Sequence, residues 1–324
     1  MSLIRTTLRL ITQPKRFNNI HPVLDQSRYF KRWVAPTLRE LRRRQKKLGP
    51  QLPQPRSGFI EWNYRAELFA FGKRLHEEFQ LDMLQTAFTQ PSYVEKEYQR
   101  QKDLGIKDSD IQMQDNNQLS ERGAYLANEC VHAYLKHSFP DVPLEGINAF
   151  AAYLLSTDML SHIGSHLGMI ELLLDADYPP EKESMARSLL AVISAIEQTS
   201  GQERAFLFIR DFICTQMNQR DLLDIWHIAD PEQMLKQICE ERKMGEMEPR
   251  LLGDCGKNTV LAAYHVGIYA NKTLLGHGFG EDVATAIKTA SLNALQEIFC
   301  IQDNARPLNF RAQLKPTNIK AIEN

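Results

Sequence analysis

The sequence predicts two folded parts of different class: an all-α domain over residues 58–225, then a small α+β domain, α-β-β-β-α in order, over residues 226–300. Three observations carry this reading. Apolar residues recur with a helical period from Trp62 to about Asn218, with no strand signal between them. After Asp230-Pro231 the pattern changes to one helix, three short strand-like stretches and a closing helix. The length of 324 residues also exceeds the ~250–300 at which a single core stops growing.

Composition narrows the function classes. With 43% hydrophobic and 24% charged residues, the chain is not broadly disordered. The best apolar run, Ile147–Leu155, falls well short of the ~18–20 residues of a membrane span, so none is expected. Cys130, Cys214, Cys239, Cys255 and Cys300 are scattered, with no C-x-x-C pair. That pattern argues against a secreted disulfide framework and a zinc ribbon, and makes a reduced compartment the default.

The net charge of −1 hides an asymmetry. Residues 1–50 hold 13 Lys and Arg against Asp25 and Glu40, a local balance of +11, which leaves −12 on the rest. A basic arm on an acidic body suggests an anionic partner reached through the arm.

The first 24 residues contain no acid, and Leu3, Ile4, Leu8, Leu10 and Ile11 fall on one half of a helical wheel opposite Arg5 and Arg9. This is the pattern of a mitochondrial transit peptide, assigned to residues 1–30. Residues 31–57 form a basic arm and linker. Arg39, Arg42, Arg43, Arg44, Lys46 and Lys47 put six cations within nine residues, which reads as a nucleic-acid-binding arm. Gly49-Pro50, Pro53, Pro55 and Gly58 cannot continue a helix and form the linker.

In the helical part, Phe69, Leu75, Phe79 and Leu84 share one pattern, and Leu119, Leu126, Cys130, Val131 and Leu135 another. A third runs through Leu189, Val192, Ile193 and Ile196, followed by Phe206, Phe208, Ile209 and Phe212. Pro140, Pro143 and Pro179-Pro180 fall between segments, as breakers should. The polar stretch Gln99–Asn117 reads as a surface loop.

Three phrases resemble motifs of the ribonuclease III family, in the right order: Leu84-Gln-Thr-Ala-Phe-Thr-Gln-Pro-Ser-Tyr93, Asn116-Asn-Gln-Leu-Ser-Glu-Arg-Gly-Ala124, and Ala186-Arg-Ser-Leu-Leu-Ala-Val-Ile-Ser-Ala-Ile196. The second stands in place of the family signature N-E-R-L-E-F-L-G-D, matched at Asn116, Leu119 and Gly123. The resemblance implies the fold, but the family's four metal-binding carboxylates correspond here to Ser120, Ala124, Arg187 and Leu190. Magnesium needs oxygen ligands, usually anchored on carboxylates, so no metal, cofactor or nuclease centre is expected. Glu121 lies about 100° around the helix from the required position.

Other chemistry is not supported. His162 and His166 have zinc spacing, but Ile163 replaces the glutamate of H-E-x-x-H. Ser156, Ser161 and Ser165 lie in no nucleophile elbow, and His227 and Asp230, in a linker-like stretch, have no nucleophile at triad spacing.

In the C-terminal part, Asp230-Pro231 caps a helix bearing Met234, Leu235, Ile238 and Cys239. Strands are expected near Pro249–Asp254, Leu261–Ala270 and Lys272–Gly278, with Asn271-Lys272 as a tight turn. A closing helix carries Val283, Ile287, Ala290, Ala294 and Ile298 on one face. The order, with Ala290-Ser-Leu-Asn-Ala294-Leu295, resembles a double-stranded RNA-binding domain, which reads A-form duplexes by shape. That family's G-x-G-x-S-K-K stretch reads Gly276-His-Gly-Phe-Gly280-Glu281-Asp282 here, with acids in place of the two lysines. Asn258-Thr-Val-Leu261 replaces its histidine loop. RNA contact is therefore expected from the arm, with Lys257, Lys272 and a mildly basic tail, residues 301–324, adding less. Gly276-x-Gly278-x-Gly280 lacks the βαβ unit of a dinucleotide site.

The combination resembles the ribonuclease III-like proteins of the mitochondrial large ribosomal subunit. It implies a non-enzymatic component of the mitochondrial matrix ribosome, with large-subunit rRNA and other mitochondrial ribosomal proteins as partners. The family's helical faces also imply dimer-like pairing, either with a second copy or with a related ribonuclease III-like subunit. The rival readings are a mitochondrial RNA-processing or assembly factor and an active double-stranded RNA endonuclease.

Overall fold

The computed structural model describes residues 36–47, 49, 55–105, 113–218, 220–257, 259–301 and 308. The expected leader, residues 1–30, and nearly all of the tail lie outside the described residues. Two units are distinguished, Met1–Gln54 and Pro55–Asn324. In the first, residues 36–47 form helix α1, exposed along its whole length.

The second unit opens with eight helices: α2 (Tyr64–Leu75), α3 (Leu81–Phe88), α4 (Pro91–Asp103), α5 (Asn117–Ser138), α6 (Leu144–Leu154), α7 (Thr157–His166), α8 (Lys182–Ser200) and α9 (Gln202–Phe212). Local signals set several of their ends. Asn63 accepts a hydrogen bond from the Ala66 amide to start α2, Ser156 does the same from Met159 for α7, and Pro91 opens α4. Helix α8 is the central post. It buries an almost continuous run from Met185 to Ile196 and packs against α3, α5, α7 and α9.

The apolar patterns on α5 and α8 hold, with Leu126, Cys130, Val131, Leu135, Leu189, Val192, Ile193 and Ile196 all buried. The first pattern holds in part: Leu84 is buried and Leu75 and Phe79 pack against the core, but on α2 Leu68 and Phe71 are the buried positions and Phe69 is exposed. The expected loop Gln99–Asn117 is also corrected. Helix α4 continues to Asp103, and Asn116 is fully buried at the start of α5.

After a short helix α10 (Leu222–Ile225) come α11 (Pro231–Glu241), β1 (Met247–Cys255), β2 (Ala263–Ala270), β3 (Thr273–Gly280) and α12 (Val283–Ile298). The sheet is antiparallel in the order β1-β2-β3. Asn271 and Lys272 have φ of 48° and 64°, the left-handed pair of a two-residue type I′ turn. Asp230 occupies the N-cap position of α11 without a side-chain capping bond. Leu261, expected in a strand, is exposed before β2 begins. On α12 the buried face is Ala286, Ala290, Ala294 and Leu295, rotated away from the exposed Val283.

The reason for that rotation is a close approach between β3 and α12. A β-carbon on Gly276 would lie 2.5 Å from the Ala294 nitrogen, on Gly278 2.3 Å from that of Ala290, and on Gly280 2.4 Å from that of Ala286. Two strand residues advance ~6.6 Å and four helix residues ~6.0 Å, so the glycine and alanine rows stay nearly in step. These glycines therefore form a packing row on β3, which runs two residues past the expected strand end at Gly278.

The linker-like stretch around residue 226 is packed as well. Leu222, Trp226 and Ile228 are buried, and Trp226 lies 6.3 Å from Phe150 of α6 and 5.9 Å from Phe299 after α12, between ring centroids. One continuous core thus runs from the helices into the sheet.

Candidate nucleic-acid interface

Helix α1 carries the expected basic arm. Arg39, Arg42, Arg43, Lys46 and Lys47 follow three- and four-residue spacings, which at about 100° per residue align them along one side. Arg44 stands apart from this row and pairs with Glu40 at 3.4 Å. The sequence treated all six cations alike; the helix separates five from one.

Ser120, Ala124, Arg187 and Leu190, expected to correspond to the family's carboxylates, lie on α5 and α8. These helices cross so tightly that a β-carbon on Gly123 would stand 1.9 Å from the Leu190 carbonyl oxygen. Ser120 is buried, and its hydroxyl donates to the Asn117 carbonyl at 2.8 Å. Arg187 is half-buried and donates to Glu183 at 2.6 Å. Ala124 and Leu190 offer no donor atom to a metal. Arg122 bridges the two helices through Glu197, at 2.7 and 3.1 Å, and the carboxylate holds the guanidinium above its ordinary pKa. Two nearby acids are thus held by arginines, and the four residues do not fit a divalent cation.

Behind these positions lies a polar knot that the sequence did not reveal. The Gln90 side-chain amide donates to the Ser188 hydroxyl at 2.9 Å and to the Ser184 carbonyl at 2.9 Å. Asn116 donates to the Ala87 carbonyl at 3.1 Å and to Ser188 at 3.4 Å. Polar groups buried in this way lock three segments together. Only the Asn116 match hinted at it.

In the sheet part, Glu281 and Asp282 are exposed at the start of α12, and neither makes an ion pair among the described residues. Two carboxylates there add negative charge where an anion would otherwise be favoured. Lys257 follows β1 and pairs with Asp254 at 3.6 Å, whereas Lys272 sits in the β2–β3 turn. The length of β2, roughly 23 Å, separates these two ends, so the lysines do not form one patch. Elsewhere, the His162 and His166 rings lie 4.2 Å apart, but His166 Nδ1 is engaged with the His162 carbonyl. Among the described residues no group of three or more His, Cys, Asp or Glu side chains could hold a metal ion. No helix among them is long and apolar enough to cross a membrane.

Comparison with known proteins agrees with this architecture. The family model described as "Large ribosomal subunit protein mL44, endonuclease domain" matches residues 63–196, and that described as "MRPL44 dsRNA-binding domain" matches residues 226–324. Together they span more than half of the chain. Large ribosomal subunit protein mL44 of Caenorhabditis elegans is 29% identical over 273 residues, covering 83% of this chain and 68% of that protein. Its Neurospora crassa counterpart is 26% identical over 117 residues, covering 36% of this chain and 26% of that one. The nuclease domain of ribonuclease III from Campylobacter jejuni overlays with a TM-score of 0.38 at 21% identity, over 47% of this chain and 96% of that one. With both domain models matched in order, the chain belongs to the mL44 family of large ribosomal subunit proteins.

Proposed function

We propose that this chain is a non-enzymatic structural component of the large subunit of the mitochondrial ribosome, binding large-subunit rRNA and neighbouring ribosomal proteins. The observation that carries the reading is the chemistry at Ser120, Ala124, Arg187 and Leu190. Helices α5 and α8 cross tightly at Gly123, and no carboxylate stands at any of these four positions. Without such ligands no metal-bound hydroxide can be generated to attack a phosphodiester. The acid-free start of the sequence and the names of the relatives support the mitochondrial ribosome as its place.

In this reading the fold serves as a shaped body and the arm as its electrostatic anchor. The row on α1 presents five cations, none of them ion-paired among the described residues, while residues after 50 carry a balance of −12. Phosphate attraction therefore comes mainly from the arm. Residues 58–225 and 226–300 would act as two domains of one packed body, with the first available for pairing with a related ribonuclease III-like subunit.

Two measurements test the proposal together. The protein should co-sediment with the large ribosomal subunit in a sucrose gradient of mitochondrial lysate. Purified protein with Mg²⁺ or Mn²⁺ should leave long duplex RNA uncut. Metal-dependent cleavage that tracks with this chain would overturn the non-enzymatic reading. A chain that never enters the subunit fractions would overturn the ribosomal one.

A further inference from the structure

The sheet has an outer face that α12 does not cover. Register places Arg250, His265, Gly267, Tyr269, Leu274, His277 and Phe279 on it. Phe279 is 61% exposed and lies parallel to the His265 ring, with centroids 4.2 Å apart and planes at 13°. His277 stands edge-on to both rings. Toward the other end, the Arg250 guanidinium lies 5.3 Å from the Tyr269 ring centroid. Between these groups the side chains of Leu252 and Leu274, 45% and 49% exposed, close over the buried Gly267 as an apolar centre.

We infer that this outer face is a binding site for unpaired RNA bases. The inference rests on the RNA-binding reading above and gives it a second, separate site. A planar pair with one ring largely exposed is prepared to accept a third planar ring, and every nucleobase offers a π-face. The guanidinium over Tyr269 supplies a second planar platform on the same surface.

Charge also favours RNA here over the helix end. The acid on this face, Glu248, is paired with Arg250 at 2.6 Å, whereas Glu281 and Asp282 at the start of α12 are unpaired among the described residues. His265 and His277 have no carboxylate partner among the described residues. A phosphate backbone is therefore opposed less along the sheet than at the helix terminus used by duplex-binding relatives. The ligand is accordingly a single-stranded loop or bulge, read by stacking and with little sequence preference.

The test uses the full chain and a single-stranded oligouridylate carrying one central 2-aminopurine. Binding should quench the 2-aminopurine through stacking. Phe279→Ala should weaken affinity at least about five-fold and remove the quench. Phe279→Tyr, which keeps the ring, should retain both, and all three proteins should melt alike. Alanine replacement of the α1 cations should lower affinity yet leave the quench at saturation. If Phe279→Ala binds and quenches like the parent, the sheet inference is overturned while RNA binding through the arm stands. If the parent binds no oligonucleotide but Phe279→Ala leaves the large-subunit fractions, the face is a protein contact and the inference is again overturned. If the parent binds no RNA and never co-sediments, the RNA reading falls with it.

Discussion

Gly123 on α5 and Leu190 on α8 meet backbone to backbone, with room for hydrogen but not for a β-carbon, which would stand 1.9 Å from the Leu190 carbonyl oxygen. The contact sits among Ser120, Ala124, Arg187 and Leu190, the positions expected from the resemblance to correspond to metal ligands. Gly→Ala within a helix ordinarily gains about 0.5–1 kcal/mol. Here Gly123→Ala should instead lose about 1–3 kcal/mol or more, because neither backbone can yield without moving a central helix. Urea unfolding reads the sign directly. An unchanged or raised midpoint would mean that the crossing can open to admit a methyl group.

Trp226 joins the helical part to the sheet part through Phe150 and Phe299. Removing its ring should cost about 3–5 kcal/mol, as for other large aromatic truncations. The consequence for cooperativity is more specific. The parent, with one continuous core, should unfold in one transition by circular dichroism and calorimetry. Trp226→Ala should separate it into two. A single, merely shifted transition in the variant would show that other contacts carry the coupling.

The helices of the middle part and the α-β-β-β-α order were legible because burial imposes period on sequence. On α5 and α8 the period is uninterrupted, and the expected core residues are buried. In the pattern from Phe69 to Leu84 only Phe69 fails, being exposed on α2 beside the buried Leu68 and Phe71, and α2 ends at the left-handed His76 with no Gly or Pro to announce it. Gly276, Gly278 and Gly280 were visible as a row, but their partner is an alanine row on α12, and a one-dimensional reading does not pair a period of two with a period of four. The α1 cations were legible as a cluster, and helical spacing then set Arg44 apart. The Phe279–His265 stack depends on cross-strand register, which no local signal encodes.

The thiols should divide by burial. Cys255 and Cys300 are exposed, whereas Cys130, Cys214 and Cys239 are buried, and burial raises the pKa of all three, that of Cys214 to about 12. A disulfide reagent at pH 8 should modify Cys255 and Cys300 quickly and the other three only on unfolding. Stability should follow the same protons. The unfolded chain releases its thiol protons near pH ~8.5 while the folded core retains them. The stabilisation is therefore fully present below that pH and is lost progressively as pH rises toward about 12, a range in which Tyr134, raised to about 12 chiefly by burial, adds to the loss. Urea midpoints that stay flat from pH 8 to pH 11 would contradict the buried assignment.

The arm gives the last prediction, because its geometry turns a charge count into a slope. If Arg39, Arg42, Arg43, Lys46 and Lys47 each neutralise one phosphate, each contributes about −0.9 to the dependence of log affinity on log salt, on the scale for B-form duplexes. Alanine at all five should flatten the slope by several units. Arg44→Ala should change it much less, since Arg44 lies off the row and is paired with Glu40. Lysine at Glu281 and Asp282 should act in the opposite direction, steepening the slope and strengthening binding to arbitrary duplexes by replacing two negative charges with two positive ones at the start of α12. Titration of a long RNA duplex at several salt concentrations measures all three. Equal slopes for the five-residue and Arg44 variants would show that the helical row does not organise the contact. An unchanged slope in both would remove the arm from RNA binding altogether.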